Sequence, residues 1–190
     1  MISRRLCCLA VLSLLWAVCA AAQEPDDSEG AIFVPTPPDV VAKMLELAEV
    51  GKRDLLYDLG CGDGRIVVAA SLKHGCRSVG YEIDARKVRQ SIANVKKHDL
   101  EELVQIEQRD IFKLDLSKAS VVTLYLLPEM NVQLIPQLKQ MKRGSRIVAH
   151  EFPIAGYRHD RKLTLTSRED GVPRDIYLYK LPLRKAPRRD

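Results

Sequence analysis

The sequence predicts an α/β fold, in which a parallel sheet carries helices on both of its faces. Short apolar runs of strand length alternate along the chain with stretches of helical periodicity. Parallel strands joined by helices form right-handed units, so this alternation places helices on both faces of one sheet. With 190 residues, of which 46% are hydrophobic and 29% charged, the chain has the length and composition of a single globular domain. The net charge of +5 permits an acidic partner but does not by itself indicate nucleic acid.

The first 22 residues differ in composition from the rest of the chain. Arg4 and Arg5 precede an apolar run over residues 6–22, which ends in three alanines before Gln23. A basic start, an apolar centre and a small-residue end predict a cleaved secretory signal peptide over residues 1–22, and therefore an exported protein, periplasmic or secreted. The alternative is an uncleaved membrane anchor over residues 4–22, because about 17 apolar residues approach the length that spans a bilayer.

The elements that follow are predicted from periodicity and from the positions of proline and glycine. Residues 23–33 are expected to be a flexible, acidic lead-in, and a first helix begins at Pro38 and is closed by Gly51. Further helices are predicted at residues 65–73, 85–97 and 128–141. Strands are predicted at residues 55–59, 78–83, 104–108, 120–127 and 146–150, with a terminal hairpin at 162–166 and 175–180. The domain then spans residues 34–183, and residues 184–190 form a basic tail.

Two cysteines, Cys61 and Cys76, lie outside the N-terminal segment. The helix predicted between them separates its ends by about 13 Å, whereas a disulfide needs Cα atoms within about 7 Å of each other. Both cysteines are therefore predicted to be free thiols. No Cys and His residues have the spacing of a metal site, so no metal is expected.

A glycine-rich turn joins the first predicted strand to its helix. Gly60, Gly62 and Gly64 allow a sharp turn and the close approach of a ligand to the backbone, at a helix N-terminus. Glu82 lies near the end of the second predicted strand, where an acid can accept hydrogen bonds from both hydroxyls of a ribose. Asp110 follows the third strand and either contacts an adenine amino group or caps a turn. Together these residues predict a site for an adenosine-containing ligand.

The charge around this turn distinguishes between adenosine ligands. The dinucleotide fingerprint is G-x-G-x-x-G, whereas this turn has the pattern G-x-G-x-G. Asp58 and Asp63 would repel a pyrophosphate but attract a ligand that carries an ammonium and a sulfonium group. The sequence therefore favours S-adenosylmethionine over NAD or FAD.

Residues 58–64, with the sequence DLGCGDG, resemble motif I of the class I, seven-strand S-adenosylmethionine-dependent methyltransferases. The resemblance extends over roughly residues 34–183, with the two further acids in register. It implies a Rossmann-like, doubly wound sheet of seven mostly parallel strands in the order 3-2-1-4-5-7-6, with the last strand antiparallel. It also implies a set of cofactor-binding residues: Gly60, Cys61, Gly62 and Gly64 for the methionine part, Asp58 and Asp63 for its amino group, Glu82 for the ribose and Asp110 for the adenine.

A narrower resemblance is to the small protein-lysine methyltransferases typified by the mitochondrial ATP synthase c-subunit enzyme. It is carried by VPTP at residues 34–37, YLLP at 125–128 and HEF at 150–152. This resemblance implies transfer of a methyl group to a protein lysine. It makes Thr36, Pro128 and His150 candidate substrate-binding residues. Tyr125 and Glu151, at adjacent strand ends, are candidate catalytic residues that would orient the amine or carry its proton through water.

Other functions remain open from the sequence. The chain lacks the acid or Asn followed by Pro-Pro and an aromatic residue that marks many DNA-adenine and glutamine methyltransferases, so no nucleic acid partner is expected. A small-molecule methyl acceptor would use the same cofactor. An exported, non-catalytic domain that binds a nucleoside is a further alternative, since S-adenosylmethionine is made in the cytosol. The protein is expected to be a monomer, with membrane association through its N-terminus if that segment is retained.

Overall fold

The structure, a computed structural model, describes residues 34–187. The predicted signal peptide or anchor, the lead-in and the last three residues of the tail therefore lie outside the described residues. The helices are α1 Pro38–Leu47, α2 Arg65–His74, α3 Ala85–Lys97, α4 Pro128–Gln133 and α5 Ile135–Leu138. The strands are β1 Leu55–Leu59, β2 Arg77–Glu82, β3 Val104–Gln108, β4 Val121–Leu124, β5 Arg146–His150, β6 Tyr157–Arg158, β7 Arg161–Thr166, β8 Pro173–Lys180 and β9 Arg184–Lys185.

Seven strands form one sheet in the order β3-β2-β1-β4-β5-β8-β7. The first five strands along the chain pair in parallel, and β8 is antiparallel to both of its neighbours. Apart from the two-residue strand β6, the order by chain position is 3-2-1-4-5-7-6, so the predicted topology is confirmed. The order changes direction between β1 and β4, and in open α/β sheets ligands bind at the carboxyl ends of the strands beside such a point.

Alternate side chains of the central strands enter two separate hydrophobic cores. In β1, Leu56 packs in the core that contains α1, α2 and α3, whereas Tyr57 and Leu59 pack in the core that contains α4 and α5. In β4, Val121 and Val122 divide between the two cores in the same way. Successive residues of a strand point to opposite faces, so apolar residues throughout these strands require helices on both sides. The two-sided arrangement predicted from the sequence is confirmed.

The segment predicted as strand 120–127 and helix 128–141 differs from the structure. β4 ends at Leu124, and residues 125–127 leave the sheet before the helix that begins at Pro128. The helix itself is divided in two at Leu134, which caps both α4 and α5. Pro136 lacks the amide hydrogen that would bond to the carbonyl of Val132, which explains why one continuous helix does not form.

A small second sheet pairs the two-residue strands β6 and β9. Neither strand is long enough to show an alternating pattern in the sequence. Arg184 and Lys185, which the sequence placed in the basic tail, belong to β9.

Cys61 and Cys76 are both buried and both free, so the prediction of two free thiols is confirmed. No helix between residues 34 and 187 is long and apolar enough to cross a membrane. Within the same range, no three His, Cys, Asp or Glu side chains are grouped so that they could hold a metal ion.

Candidate active site

The turn between β1 and α2 lies at the carboxyl edge of the sheet. Gly60, Gly62 and Gly64 all have positive φ, at 76°, 56° and 78°, a conformation that residues with a Cβ rarely adopt. A Cβ on Gly60 would also lie 2.9 Å from Cδ2 of Leu126, in the segment that follows β4. The amide nitrogen of Gly60 donates to the carbonyl of Tyr81 at 2.9 Å, so the turn is held against the end of β2. The glycines thus serve the turn that the sequence predicted.

Asp58 is buried beneath this turn, with 2% of its surface exposed. The Thr123 hydroxyl, on the adjacent position of β4, donates to Oδ1 of Asp58 at 2.5 Å. No group among residues 34–187 hydrogen-bonds to Oδ2, which is also buried. Burial raises the pKa of Asp58 to about 7, the Thr123 hydroxyl opposes this, and the charges of Glu82 and Asp63 add to it. An unpaired buried carboxylate among other acids fits a ligand with cationic groups, as the sequence predicted for S-adenosylmethionine.

Glu82 connects the end of β2 to the glycine turn. Its Oε2 accepts from the amide of Gly62 at 2.9 Å, and its Oε1 accepts from the amides of Ile83 and Asp84 at 2.7 and 3.0 Å. These bonds place the carboxylate beside the turn, as expected for a residue that binds a ribose. A carboxylate has about four acceptor positions, so Glu82 retains acceptor capacity for a hydroxyl. The contact with ribose stays a prediction.

Asp63 forms an ion pair with Arg65, with 2.6 Å between Oδ2 and Nη2. Burial alone would raise the pKa of Asp63, but the hydrogen bonds and charge of Arg65 outweigh this effect and lower it. Arg65 also donates from Nη1 to the carbonyl of Thr36 at 3.0 Å. Arg65 was not predicted as a site residue, although it directly follows the glycine motif. The role of Asp63 towards a cofactor amino group stays a prediction.

Cys61, within the glycine turn, and Asp110, after β3, both occupy structural positions. The Cys61 side chain is buried, a Cβ on Gly80 would lie 2.8 Å from its sulfur, and burial raises the pKa of its thiol. Asp110 accepts from the amide of Phe112 at 2.9 Å and so caps a turn of 3-10 helix at Ile111–Lys113. This capping role was one of the two alternatives for Asp110, and its contact with adenine stays a prediction.

A second group of predicted residues meets beyond the ends of β4 and β5. His150 is 1% exposed, and its Nδ1 lies 3.1 Å from Oγ1 of Thr36. The Tyr125 ring lies against the imidazole, with 4.1 Å between ring centroids, and packs on its other neighbour, Phe152, at 6.5 Å. Burial raises the pKa of Tyr125. Pro128 begins α4 three positions after Tyr125, and its contact with a substrate stays a prediction.

Glu151 follows His150 with a φ of 62°, which is unusual for a residue with a Cβ. Its Oε1 lies 3.7 Å from Nε2 of His150 and 3.8 Å from Nε of Arg174. Burial raises the pKa of Glu151, although the charge of Arg174 opposes this. Burial and then Arg174 lower the pKa of His150 to about 4, so the imidazole is neutral at physiological pH. Arg174 was missed from the sequence, because it precedes the strand predicted at 175–180 and no motif surrounds it; in the structure it belongs to β8.

Thr36 links the two groups, since its carbonyl accepts from Arg65 and its hydroxyl contacts His150. The carboxyl ends of all five parallel strands carry acids at this edge. They are Asp63 after β1, Glu82 at the end of β2, Asp110 after β3, Glu129 after β4 and Glu151 after β5. An acid therefore ends or follows every parallel strand, although Asp63 and Asp110 are paired with Arg65 and Lys113.

Comparison with known proteins gives consistent results. The family model of the ANTKMT methyltransferase domain matches residues 58–161. A protein-lysine N-methyltransferase of Saccharolobus islandicus (strain REY15A) is 41% identical over 149 residues, which cover 77% of this chain and 91% of that protein. The lysine N-methyltransferase of Homo sapiens that acts on the ATP synthase c-subunit is 30% identical over 129 residues, which cover 67% of this chain. The match covers 54% of the human protein, so the chain spans about half the length of that relative.

A solved structure also resembles the chain closely. It is a crystal structure described as an RNA methyltransferase from Salinibacter ruber in complex with S-adenosyl-L-homocysteine. The sequence identity is 43% and the TM-score 0.74, with 82% of this chain and 98% of that chain covered. The matched region of the family model contains the glycine turn, Tyr125 and Glu151, but not Thr36 or Arg174.

Proposed function

The chain belongs to the ANTKMT methyltransferase domain family, and from this membership we propose that it methylates the side-chain amine of a lysine in a protein. The enzyme is an S-adenosylmethionine-dependent methyltransferase. The observation that carries the acceptor proposal is the 41% identity to a protein-lysine N-methyltransferase, and an exposed acid at the strand ends, Glu129, would also attract a cationic side chain.

S-adenosylmethionine supplies an electrophilic methyl group on a sulfonium sulfur. The glycine turn allows close approach of the cofactor to the backbone, because no side chain projects from residues 60, 62 and 64. Asp58 offers its unpaired carboxylate oxygen to a cationic group, and Glu82 offers acceptor capacity to a ribose. These residues would hold the cofactor in the crevice between β1 and β4.

In the group of residues beyond the ends of β4 and β5, we propose that Tyr125 orients the acceptor amine and that Glu151 accepts its proton. A lysine ammonium must lose a proton before its nitrogen can attack. Glu151 is a carboxylate with 27% of its side chain exposed, so it can receive a proton and pass it to solvent. The Tyr125 ring, which packs against His150 and Phe152, would line the approach of the lysine and restrict its orientation.

RNA is the alternative acceptor that the description of the Salinibacter ruber structure raises for this chain. Proteins bind RNA backbones through Lys and Arg, and acids at the strand ends would repel the phosphates. Two cations at this edge, Arg65 and Lys113, form ion pairs with Asp63 and Asp110, so these pairs contribute little net charge towards either acceptor. The exposed Glu129 supports a cationic protein acceptor over an RNA acceptor. A small molecule remains the other alternative.

The acceptor class can be determined by incubating the purified chain with methyl-labelled S-adenosylmethionine and a cell extract. We expect label in protein, sensitive to protease and insensitive to ribonuclease, and recovered after hydrolysis as methyllysine. Label in RNA or in solvent-soluble small molecules, with none in lysine, would reject the proposal. An Asp58→Asn variant serves as the control for label that does not depend on the active site.

Replacing Glu82 tests the ribose assignment. We expect Glu82→Ala to weaken cofactor binding by roughly 1–3 kcal/mol, because charged hydrogen bonds are lost. Calorimetric titration with S-adenosylhomocysteine measures the change. Glu107→Ala, which removes an acid from the neighbouring strand β3, is the matched control and should bind as the unchanged protein does. Equal affinity of both variants would count against the assignment.

We further propose that the protein is exported and monomeric, with residues 1–22 acting as a signal peptide or, if they are retained, as a membrane anchor. The basis is the pattern of basic, apolar and small residues in that segment. Mass spectrometry of the native N-terminus distinguishes cleavage before Gln23 from retention. Light scattering of the purified protein determines its oligomeric state.

A further inference from the structure

Two buried nitrogens flank one buried carboxylate oxygen at the acceptor end of the site. Oε1 of Glu151 lies between Nε2 of His150, at 3.7 Å, and Nε of Arg174, at 3.8 Å. All three atoms are buried, and none forms a hydrogen bond with any group of residues 34–187. Both separations exceed those of hydrogen bonds, so two nitrogens flank the oxygen without yet bonding to it. Catalytic hydrogen bonds are often long before substrate binds.

The Thr36 hydroxyl can donate to Nδ1 of His150 or accept from it, so the carboxylate that faces Nε2 decides which nitrogen carries the proton. If the Thr36 hydroxyl donates to Nδ1 at 3.1 Å, the proton of the neutral ring lies on Nε2 and faces the Glu151 carboxylate. The opposite tautomer would direct a lone pair of Nε2 at a carboxylate oxygen, which is repulsive. The structure therefore favours Nε2–H, so that Glu151 has a potential donor on each side.

The backbone of Glu151 is also held in place. Its left-handed conformation is unfavourable for a residue with a Cβ and persists only where the surroundings impose it. The amide of Glu151 donates to the carbonyl of Asp175 at 2.7 Å, and Arg174 is the preceding residue of the same strand. Arg174 is 16% exposed and is itself bound by Asp170, with 2.7 Å between Nη2 and Oδ2. One strand, β8, thus fixes the backbone of Glu151 and presents the guanidinium to its carboxylate.

We propose that His150 and Arg174 are positioning residues, which keep the Glu151 carboxylate ionised and aimed at the amine of the acceptor lysine. The inference rests on the proposed lysine methylation. In the proton step, an N–H bond of the lysine ammonium breaks, its electron pair stays on nitrogen, and an O–H bond forms on Glu151. Glu151 then releases that proton to water from its exposed side and returns to the carboxylate form.

The charges around Glu151 give the sign of the expected pH effect. Burial raises the pKa of Glu151, Arg174 is the largest opposing influence, and Asp175 and Lys162 act in opposite directions. Lys162 pairs with Asp175 at 2.7 Å, and the uncharged Tyr125 and His150 complete the surroundings. Removing the charge of Arg174 would raise the pKa of Glu151 further. The carboxylate would then form only at higher pH, and the acid limb of the rate profile would move in that direction.

Variants of Arg174 test this inference in the full-length chain. The initial rate of label transfer into the protein fraction of the cell extract is measured from pH 6 to pH 9 at saturating cofactor. For Arg174→Gln we expect the acid limb at higher pH, with a rate at pH 6 roughly tenfold lower relative to pH 9 than in the unchanged enzyme. Arg174→Lys keeps the charge and should restore the profile. Arg168→Gln, an exposed arginine of the β7–β8 turn, is the matched control.

Each outcome is decisive for one proposal. If Arg174→Gln binds S-adenosylhomocysteine normally and keeps the original pH profile, or if Arg174→Lys behaves like Arg174→Gln, the inference about Arg174 is wrong. If the unchanged enzyme labels no lysine, the proposed function fails instead.

Thr36 gives an independent test of His150. Thr36→Val keeps the shape of the side chain but removes the hydroxyl that contacts Nδ1 of His150 and holds the ring. We expect the rate to fall by roughly tenfold with cofactor affinity unchanged, and Thr36→Ser to recover it. An unchanged rate in Thr36→Val would overturn the part of the inference that concerns His150, and this variant leaves the Thr36 carbonyl free to bind Arg65.

Discussion

A single carboxylate, Asp58, shows how burial and function are coupled at the level of one residue. The side chain sits inside the sheet, where the Thr123 hydroxyl satisfies one oxygen and no group of residues 34–187 satisfies the other. In the absence of a cation, burial favours the protonated form, and this is why the pKa rises to about 7. The ionised Asp58 side chain destabilises the protein when no cofactor is bound, and for the same reason it is suited to bind a cationic ligand.

Asp58 should make the cofactor-free protein less stable as pH rises. Its pKa is higher in the folded state, about 7, than the ordinary value of 3.8, so its contribution is complete below pH 3.8 and is lost as pH rises through about 7. Relative to Asp58→Asn, the unchanged protein should lose about 3 kcal/mol of unfolding free energy between pH 5 and pH 8. Urea unfolding at both pH values measures this. Asp115→Asn, at an exposed acid, is the control, and a constant difference between Asp58→Asn and the unchanged protein would contradict the prediction.

At the level of elements, the turn between β1 and α2 places the site because three of its residues have positive φ. Two of these glycines also face neighbours: a Cβ on Gly60 would meet Leu126, and one on Gly64 would lie 3.0 Å from Cβ of Ser91 in α3. The turn therefore brings the segment after β4 and the helix α3 against the backbone that a cofactor approaches. The turn can keep this geometry because neither Gly60 nor Gly64 carries a side chain towards these neighbours.

Gly60→Ala separates backbone strain from this packing when it is compared with Gly171→Ala. Both glycines have φ near +70°, but nothing lies within 4 Å of a Cβ on Gly171, in the β7–β8 turn. Each substitution should lower the unfolding free energy by about 1–2 kcal/mol through left-handed strain. Only Gly60→Ala should also weaken binding of S-adenosylhomocysteine, because Leu126 must move. Thermal unfolding and calorimetry measure the two effects, and equal cofactor affinity in both variants would argue against the role of the packing.

At the level of the whole molecule, the charges are unevenly distributed along the strand direction. Acids end or follow the five parallel strands and basic residues precede or begin four of them, although Asp54 precedes β1 and Arg109 follows β3. The basic residues are Arg53 before β1, Arg77 in β2, Lys118 before β4 and Arg143 before β5. A field of this kind attracts a cationic acceptor towards the active-site edge and orients it as it approaches.

This polarity predicts that salt affects capture of the acceptor more than turnover. For a lysine-rich protein acceptor, kcat/KM should fall by roughly tenfold between low and physiological ionic strength, while kcat stays constant. Glu129→Gln, which neutralises an exposed acid after β4, should reduce the salt dependence. Glu101→Gln, at the opposite edge before β3, is the control. A kcat/KM that does not respond to salt would show that the acidic edge does not steer the acceptor.

Much of the fold could be predicted because its signals are local. The predicted bounds of β1, α3, β3 and β5 are those observed, since periodicity, caps and turns act within a few residues. The helix predicted at 128–141 is broken instead, because Pro136 removes a backbone hydrogen bond from an otherwise helical pattern. The pair β6 and β9 could not be predicted, since two-residue strands carry no period.

The candidate site also has one part that the local sequence predicts and another that only the tertiary structure reveals. The glycine turn, Asp58 and Glu82 lie within 25 positions of one another, so a motif in the local sequence was sufficient to predict a site for S-adenosylmethionine. The acceptor end depended on tertiary structure: Thr36 meets His150 across 114 positions, and Arg174 reaches Glu151 only because β8 lies between β5 and β7. Periodicity and motifs report on neighbours along the chain, whereas the pairing of distant strands brings these side chains, and the unpaired atoms among them, to one place.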